Sequence, residues 1–269
     1  MKSHRPRKRF GQHFLRDPGV VDAILRAIAP APDDTIVEVG PGLAALTGQL
    51  ASRAGELHAV ELDRDLATRL RADFAARSNV TIHEADALRF DFCSLGTSLR
   101  IVGNLPYNIS TPLLFRLLEQ RACVRDMHFM LQKEVVDRMT AGPGSKRYGR
   151  LTVMLGCYFE MQALFDVDRL AFEPPPAVTS AVVRMQPLAE GAYRIDDPQH
   201  FARLVAAAFA QRRKTIRNAL RDVAAQADLT AVGIDPGQRA ETIGIALYVD
   251  LANRLARPAN HVPAHDALR

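Results

Sequence analysis

The first two thirds of the chain alternate between short apolar runs and longer amphipathic stretches. The apolar runs predict strands at residues 35–39, 57–61, 80–83, 100–102, 127–131, 151–159 and 180–185. A 3.6-residue periodicity predicts helices at residues 20–28, 43–53, 66–76 and 113–119. Nearly continuous apolar strands that alternate with helices are typical of a parallel sheet covered by helices on both faces. We therefore expect an α/β fold with a Rossmann-like sheet.

The pattern changes near Pro187. Residues 189–197 are polar and rich in turn formers, which indicates a linker. Beyond it, residues 201–225 and 240–255 have helical periodicity, and the pattern predicts no strand between them. The expected domains are a first domain at 1–188 that starts with a basic arm at 1–16, and a small C-terminal all-helical domain at 198–269 that ends in a loose tail.

Composition and charge restrict the class of protein. The hydrophobic fraction of 48% is ordinary for a globular protein, and no segment approaches the run of about 18 apolar residues that a membrane span needs. The basic N-terminus lacks the apolar core of a secretory signal, so we expect a cytoplasmic protein. Three cysteines, Cys93, Cys123 and Cys157, lack metal-ligand spacing, and we expect reduced thiols and no metal site. The net charge of +5 favours a polyanionic partner over a membrane.

A glycine turn follows the first predicted strand and opens a helix. Gly40 and Gly42 begin a G-x-G-x-x-A pattern that ends at Ala45. Glu61 ends the next strand at the spacing of an acid that binds ribose hydroxyls, and Asp86 follows the third strand, where it could accept a hydrogen bond from an adenine amine. These residues predict a nucleoside cofactor at the carboxyl ends of the strands. NAD and S-adenosylmethionine both fit, although acidic strand ends suit a sulfonium cation better than a pyrophosphate.

The acceptor tetrapeptide, Asn104-Leu105-Pro106-Tyr107, follows a predicted strand end. The Asn104 amide oxygen and the Leu105 carbonyl can accept hydrogen bonds from the exocyclic amine of a base. Pro106 stiffens the turn, and the Tyr107 ring offers a stacking face worth roughly 1–3 kcal/mol per base. The tetrapeptide therefore indicates chemistry on a nucleobase amine and favours S-adenosylmethionine as the cofactor. A strand-end turn with a core tyrosine would also fit these four residues.

Several motifs, taken in order, resemble the ribosomal small-subunit RNA adenine dimethyltransferase family. They extend from about Arg9 to about Leu220 and comprise FGQHFL at 10–15, EVGPG at 38–42, VELD at 60–63, EADA at 84–87, GNLPYN at 103–108, FEPPPAVTSA at 172–181 and QRRKTIRN at 211–218. The resemblance implies a class I methyltransferase sheet with a helical C-terminal domain and S-adenosylmethionine as cofactor. It also implies dimethylation of N6 on two adjacent adenines near the 3′ end of small-subunit (16S) rRNA, and a role in small-subunit biogenesis.

The resemblance also implies the residues of the site. The cofactor would be bordered by His13, Leu15, Glu38, Gly40, Gly42, Glu61, Leu62, Asp86, Ala87 and Asn104, with Glu38 near its methionine end. The catalytic residues would be Asn104, Leu105, Pro106, Tyr107 and Phe172. Phe172 would close the face of the base opposite Tyr107, although a core phenylalanine would also fit. His13 occupies a position where relatives also carry asparagine, and either side chain could donate to the methionine carboxylate.

Basic residues form clusters that suit RNA phosphates. The candidates are Arg7, Lys8 and Arg9 in the N-terminal arm, Arg212, Arg213, Lys214, Arg217 and Arg221 in one stretch predicted to be helical, and Lys146 and Arg147 in a predicted loop. Positions 213, 217 and 221 would share a helix face. The expected partner is the small ribosomal subunit with its rRNA, bound by a monomer.

Three other functions share part of this pattern. A nicotinamide dehydrogenase would share the glycine turn and Glu61 but would not need the acceptor tetrapeptide. DNA adenine methyltransferases resemble Asp/Asn-Pro-Pro-Tyr/Phe more closely than Asn-Leu-Pro-Tyr. An RNA-binding assembly factor that had lost catalysis would not need the intact motifs.

Overall fold

The computed structural model describes residues 12–256, which form two compact units. The first unit contains residues 12–140 and 159–188, and the second contains residues 141–158 and 189–256. The structure thus places residues 141–158 in the second unit, whereas the sequence pattern assigned them to the first domain. The basic residues Arg7, Lys8 and Arg9 lie outside the described residues.

The first unit is built on a mixed sheet. Its strands, with a separate short pair, are β1 (Phe14–Leu15), β2 (Thr35–Val39), β3 (Glu56–Glu61), β4 (Val80–Glu84), β5 (Leu99–Asn104), β6 (Val124–Gln132), β7 (Phe159–Val167), β8 (Phe172–Glu173) and β9 (Ser180–Pro187). Seven of them form one sheet in the order β4-β3-β2-β5-β6-β9-β7, and β1 pairs antiparallel with β8. Strand β9 runs antiparallel to both neighbours, and the other pairs are parallel. The predicted α/β fold is confirmed.

The strand order reverses between β2 and β5. From β2 the chain proceeds outward through β3 and β4, then returns to β5 and proceeds in the opposite direction. In an open α/β sheet, such a reversal leaves a crevice at the carboxyl ends of the strands. The cofactor motifs were assigned to this edge of the sheet.

The helices of the first unit cover the sheet. They are α1 (Pro18–Ile28), α2 (Thr47–Ala51), α3 (Arg64–Asp73), α4 (Ser110–Glu119) and α5 (Lys133–Met139). The side chain of Asp17 caps α1 by accepting from the backbone of Gly19 and Val20. Helix α2 is shorter than the predicted 43–53, because the positive φ angles of Gly42 and Ala44 keep the preceding residues in a turn.

The second unit is helical in its described part, with α6 (Arg150–Gly156), α7 (Pro198–Ala210), α8 (Ile216–Ala219), α9 (Gln226–Ala231) and α10 (Ile245–Ala256). The strand predicted at 151–159 is wrong. Most of α6 is buried, so its apolar run shows no helical periodicity. The single helix predicted at 201–225 is also wrong, because the chain turns after α7 and Thr215 forms a bridge with Arg239.

Cys93 and Cys123 form a disulfide, which corrects the expectation of reduced thiols. The two cysteines lie 30 residues apart, in short 3₁₀ turns that precede the neighbouring strands β5 and β6. The side chain of Gln120 links these turns by accepting from the Phe92 N–H. Their proximity depends on strand order, which cysteine spacing alone does not reveal. Cys157 is free and buried.

A buried ion network lies near the amino ends of the strands. The side chain of Arg100 on β5 is 8% exposed and contacts Asp34 at 2.6 Å and Asp126 at 3.0 Å. It also donates to the carbonyls of Ile28 and Ala29 at the end of α1. The more exposed Arg125 contacts the other Asp34 oxygen. Arg100 therefore ties α1 to three neighbouring segments of the sheet.

No helix within residues 12–256 combines the length and apolar character that crossing a bilayer requires.

Candidate active site

A cavity of about 280 Å³ opens at the carboxyl ends of β2, β3 and β5. Its lining comes from residues 12–15, 38–43, 45–46, 60–62, 85–87 and 104–109. These segments contain all the predicted cofactor residues and the acceptor tetrapeptide. Residues that come from five separate parts of the sequence therefore meet in one place.

The glycine turn forms the floor of the cavity. Gly40 and Gly42 have φ angles of 70° and 58°, which favour glycine. A Cβ at Gly42 would lie 3.1 Å from the ring of Phe14, so a side chain would also crowd β1. The Gly40 N–H donates to the Val60 carbonyl, which fixes the turn against β3.

Glu61 binds the turn with its carboxylate. One oxygen accepts from the Gly42 N–H at 3.1 Å, and the other accepts from the Asp63 N–H at 2.8 Å. Burial raises the pKa of Glu61, and the backbone hydrogen bonds oppose that shift. Each carboxylate oxygen has a second lone pair that could accept from a ligand hydroxyl.

Glu38 is a buried acid at the cavity wall. It is 3% exposed, and its Oε2 has no hydrogen-bond partner among residues 12–256. Burial raises the pKa of Glu38 to about 7, a polar interaction with Thr47 opposes the shift, and the charge of Glu61 adds to it. An unpartnered buried carboxylate oxygen beside a cavity fits a cationic ligand group.

Asp86, which follows β4, lies in the cavity wall with Leu62 and Ala87. Asp86 accepts from the Leu88 N–H with one oxygen, which leaves the other oxygen for a ligand. Leu62 is 50% exposed at the cavity wall, although it is a large apolar residue. With the buried Ala87, it gives this end of the cavity an apolar surface.

Gly103 allows β5 to approach β2 closely. A Cβ at this position would lie 2.4 Å from the Val39 carbonyl oxygen. The close approach sets Asn104 beside the glycine turn, and the Asn104 side-chain nitrogen donates to the His13 carbonyl at 3.0 Å. The amide oxygen of Asn104 is therefore the atom left to accept from a ligand.

His13 connects Asn104 with the Pro-rich segment, residues 172–180. Its Nδ1 lies 2.8 Å from the Pro174 carbonyl oxygen. A carbonyl can only accept, so Nδ1 carries the proton, and a neutral imidazole has no second N–H for a methionine carboxylate. Donation from Nε2 would require the protonated ring.

The other three residues of the acceptor tetrapeptide are held by the backbone and by two serine hydroxyls. Leu105 is buried and donates its N–H to the Met130 carbonyl. The Pro106 carbonyl accepts from Ser110 Oγ at the start of α4. The half-buried Tyr107 places its hydroxyl 2.7 Å from Ser180 Oγ.

The structure does not bring Phe172 to the cavity. Its side chain is 3% exposed and packs in the apolar core with Leu15, its partner in the β1–β8 pair. The sequence motif places Phe172 near the site, but strand pairing determines where the side chain points. Sequence reasoning missed Phe14, whose ring lies where a side chain at Gly42 would point, and Ser180, which bonds to Tyr107. Both residues lie within the quoted motifs, but the motifs do not reveal these contacts.

Apart from the three in the N-terminal arm, which lie outside the described residues, the predicted RNA-binding residues belong to the second unit and are exposed. Arg212 donates to the Lys146 carbonyl and pairs with Glu241, so two of the predicted clusters are neighbours. The expected shared helix face is wrong, because Arg213 and Lys214 lie in a turn, Arg217 lies in α8 and Arg221 follows α8.

Comparison with known proteins agrees with this geometry. The model of the family described as "Ribosomal RNA adenine dimethylase" matches residues 3–257. A curated relative from Aromatoleum aromaticum, named "Ribosomal RNA small subunit methyltransferase A", is 56% identical over 256 residues, which cover 95% of this chain and 96% of the relative. A relative of the same name from Thiobacillus denitrificans is 57% identical over 253 residues, which cover 94% of this chain and 99% of the relative.

Two solved structures have a similar fold. The 23S rRNA methyltransferase ErmE is 27% identical with a TM-score of 0.72, and the match covers 91% of this chain and all of that chain (100%). A dimethyladenosine transferase from Plasmodium falciparum has a TM-score of 0.78 at 23% identity, and the match covers 89% of this chain and 96% of that chain. At this identity the likeness supports the fold alone. From the family match and the relatives' identity over nearly the whole length, the chain belongs to the ribosomal RNA adenine dimethylase family.

Proposed function

We propose that the chain transfers methyl groups from S-adenosylmethionine to N6 of two adjacent adenines near the 3′ end of small-subunit rRNA, two to each adenine. The observation that carries this proposal is the Asn104 amide, whose oxygen is left free by the bond from its nitrogen to the His13 carbonyl. The expected setting is cytoplasmic small-subunit biogenesis, with the protein acting as a monomer.

The residues of the cavity fit S-adenosylmethionine. Glu61 would accept from the ribose hydroxyls, and Asp86 and Leu62 would contact the adenine ring. Glu38 would face the cationic methionine end, which would give its unpartnered oxygen a charged hydrogen-bond donor. The cofactor supplies a methyl group on a sulfur atom that is already an activated leaving group.

The acceptor tetrapeptide would bind the adenine amine. The lone pair of N6 is delocalised into the ring, so the amine is a poor nucleophile. Acceptance of its two N–H bonds by the Asn104 amide oxygen and the Leu105 carbonyl would favour a pyramidal nitrogen with its lone pair aimed at the methyl group. Most of the acceleration would come from this positioning. No dedicated base is required, because the methylated nitrogen becomes acidic.

Tyr107 would stack on the adenine, which must be single-stranded or extruded from its helix to enter the cavity. We expect Tyr107→Phe to be the milder change, with a loss of about three- to tenfold, because it keeps the ring and loses only the bond to Ser180. Tyr107→Ala should be severe, since stacking is worth roughly 1–3 kcal/mol per base. Single-turnover methyl transfer measures both, and similar rates for the two variants would contradict the stacking role.

Donor binding should depend on pH through Glu38. Its pKa of about 7 means that the carboxyl is largely protonated at pH 6 and gains charge as the pH rises. Because the carboxylate is the form that attracts a cation, affinity for S-adenosylmethionine should rise about eightfold between pH 6 and 7.5, in proportion to the ionised fraction. Calorimetric titration measures the affinity. Glu38→Gln should show a flat profile, and an unchanged slope in that variant would assign the effect to another group.

RNA binding should weaken steeply with salt. If the exposed cations contact phosphates, each contact releases counterions, and log affinity falls linearly with log salt. We expect Arg213→Ala and Lys214→Ala each to reduce that slope by about 1 between roughly 50 and 200 mM salt. Arg194, which is exposed and paired with Asp196, gives a matched control whose alanine variant should keep the slope. If RNA affinity of the wild type did not change with salt concentration, these residues would not form a phosphate-binding surface.

The decisive test uses a labelled methyl donor and undermethylated small ribosomal subunits. Nuclease digestion and nucleoside chromatography should give N6,N6-dimethyladenosine from the small-subunit rRNA. Large subunits in a parallel reaction control for specificity, because ErmE, a structural neighbour, is a 23S rRNA methyltransferase. If no label entered RNA, the proposed methyl transfer would be wrong. If label entered only the large subunit, the proposed small-subunit substrate would be wrong.

A further inference from the structure

The Pro-rich segment contacts Tyr107 directly and is linked to Asn104, at the other end of the acceptor tetrapeptide, through His13. We propose that it is a positioning frame for the substrate base, with Ser180 fixing the Tyr107 ring and His13 fixing the Asn104 amide. This inference rests on the proposed function, since the two groups that it orients are those that would touch the adenine. Neither Ser180 nor a link from His13 to Asn104 follows from the sequence pattern.

One end of the frame is Ser180. It is the first residue of β9 and fully buried, and it pairs with Gln132 of β6 on one side and Val167 of β7 on the other. The sheet therefore fixes its backbone. Its Oγ lies 2.7 Å from the hydroxyl of the half-buried Tyr107. The His13 ring also lies beside it, with ring centroids 5.7 Å apart. Because packing covers only part of the Tyr107 ring, the hydroxyl bond and this ring contact together determine its direction.

The other end of the frame is Pro174, which is linked to Asn104 through His13, the residue that precedes β1. Pro174 accepts from His13 Nδ1, and the His13 carbonyl accepts from the Asn104 side-chain nitrogen. The β1–β8 pair places Leu15 opposite Phe172, which holds the His13 backbone close to the Pro-rich segment. Loss of the His13 ring contact would free this segment, and the Asn104 amide could then rotate its oxygen away from the base.

A positioning role predicts a loss in kcat without a loss in binding. Ser180→Ala and Tyr107→Phe remove the same bond from opposite sides, so each should lower kcat about three- to tenfold. The KM values for donor and for small subunits should stay within about twofold. The double variant should lose no more than the worse single variant, because no further bond is removed.

Controls separate this role from a general structural one. Tyr248→Phe removes a more deeply buried tyrosine hydroxyl bond, to the Ala240 carbonyl, in the second unit and should leave kcat unchanged. His13→Ala should lower kcat with an unchanged donor KM, whereas His13→Asn, whose amide nitrogen can occupy the position of Nδ1, should restore it. Thermal melts report folding, and Tyr107→Phe tests the bond without changing the buried Ser180.

The frame would be overturned by multiplicative losses in the double variant, or by a His13→Ala loss that lies in the donor KM. Wild-type rates in Ser180→Ala and Tyr107→Phe would do the same. In each of these cases the wild-type enzyme still forms dimethyladenosine, so the proposed function stands. If the wild type methylates no adenine, the proposed function fails and the frame fails with it.

Discussion

Asn104→Ala should lose at least tenfold in methyl transfer, a barrier increase of about 1.4 kcal/mol or more. The variant removes the amide oxygen that would accept from N6. Single hydrogen-bonding groups that act on a transition state are worth up to about a thousandfold in kcat. Donor affinity should stay within a few-fold, because the glycine turn, Glu38 and Glu61 are unchanged. Single-turnover rates and calorimetric donor titration measure the two quantities separately.

A matched control is available in the second unit. Asn253 also donates its side-chain nitrogen to a backbone carbonyl, that of Arg194, at 2.7 Å. Its amide oxygen also accepts from the Asp196 N–H. Asn253→Ala should therefore lose two hydrogen bonds without loss of methyl transfer. If Asn104→Ala weakened donor binding as much as it slowed transfer, Asn104 would be a donor-binding residue and the acceptor assignment would be wrong.

Arg100→Met should destabilise the first unit by about 3–5 kcal/mol, the usual cost of leaving a buried carboxylate without its cation. Asp126 would lose its guanidinium contact, and the carbonyls of Ile28 and Ala29 would lose their donor. Urea unfolding measures the change.

Arg125→Met is the matched control, because Arg125 contacts the same Asp34 from the surface with its side chain 54% exposed. Exposed pairs of this kind contribute about 0–1 kcal/mol. Equal losses in the two variants would mean that burial of Arg100 does not determine its contribution.

The sequence was most informative where local chemistry and strand ends coincide. Gly40, Glu61, Asp86 and Asn104 each follow or end a strand, so knowledge of the strands was enough to place them at one edge of the sheet. Most of the cavity could therefore be predicted before the fold was seen.

The errors share a physical cause, since each depended on contacts between distant segments. Consecutive residues of α6 are buried, so its hydrophobic positions do not recur with the helical period of 3.6 residues. Phe172 points into the core because β8 pairs with β1, and Cys93 meets Cys123 because β5 and β6 are neighbours. Ser180 reaches Tyr107 only through the sheet. No local sequence pattern predicts these contacts between distant residues.

The second unit is made from two stretches of chain, with residues 141–158 supplied from the middle of the first. The Gly144 N–H donates to the Glu241 carbonyl, and the Tyr148 hydroxyl donates to the Ile243 carbonyl. A truncation at residue 188 would retain Tyr148 and the apolar residues of α6 but delete the segment that shields them. Fragments for separate expression must therefore excise 141–158 and bridge its ends, rather than cut the polypeptide once.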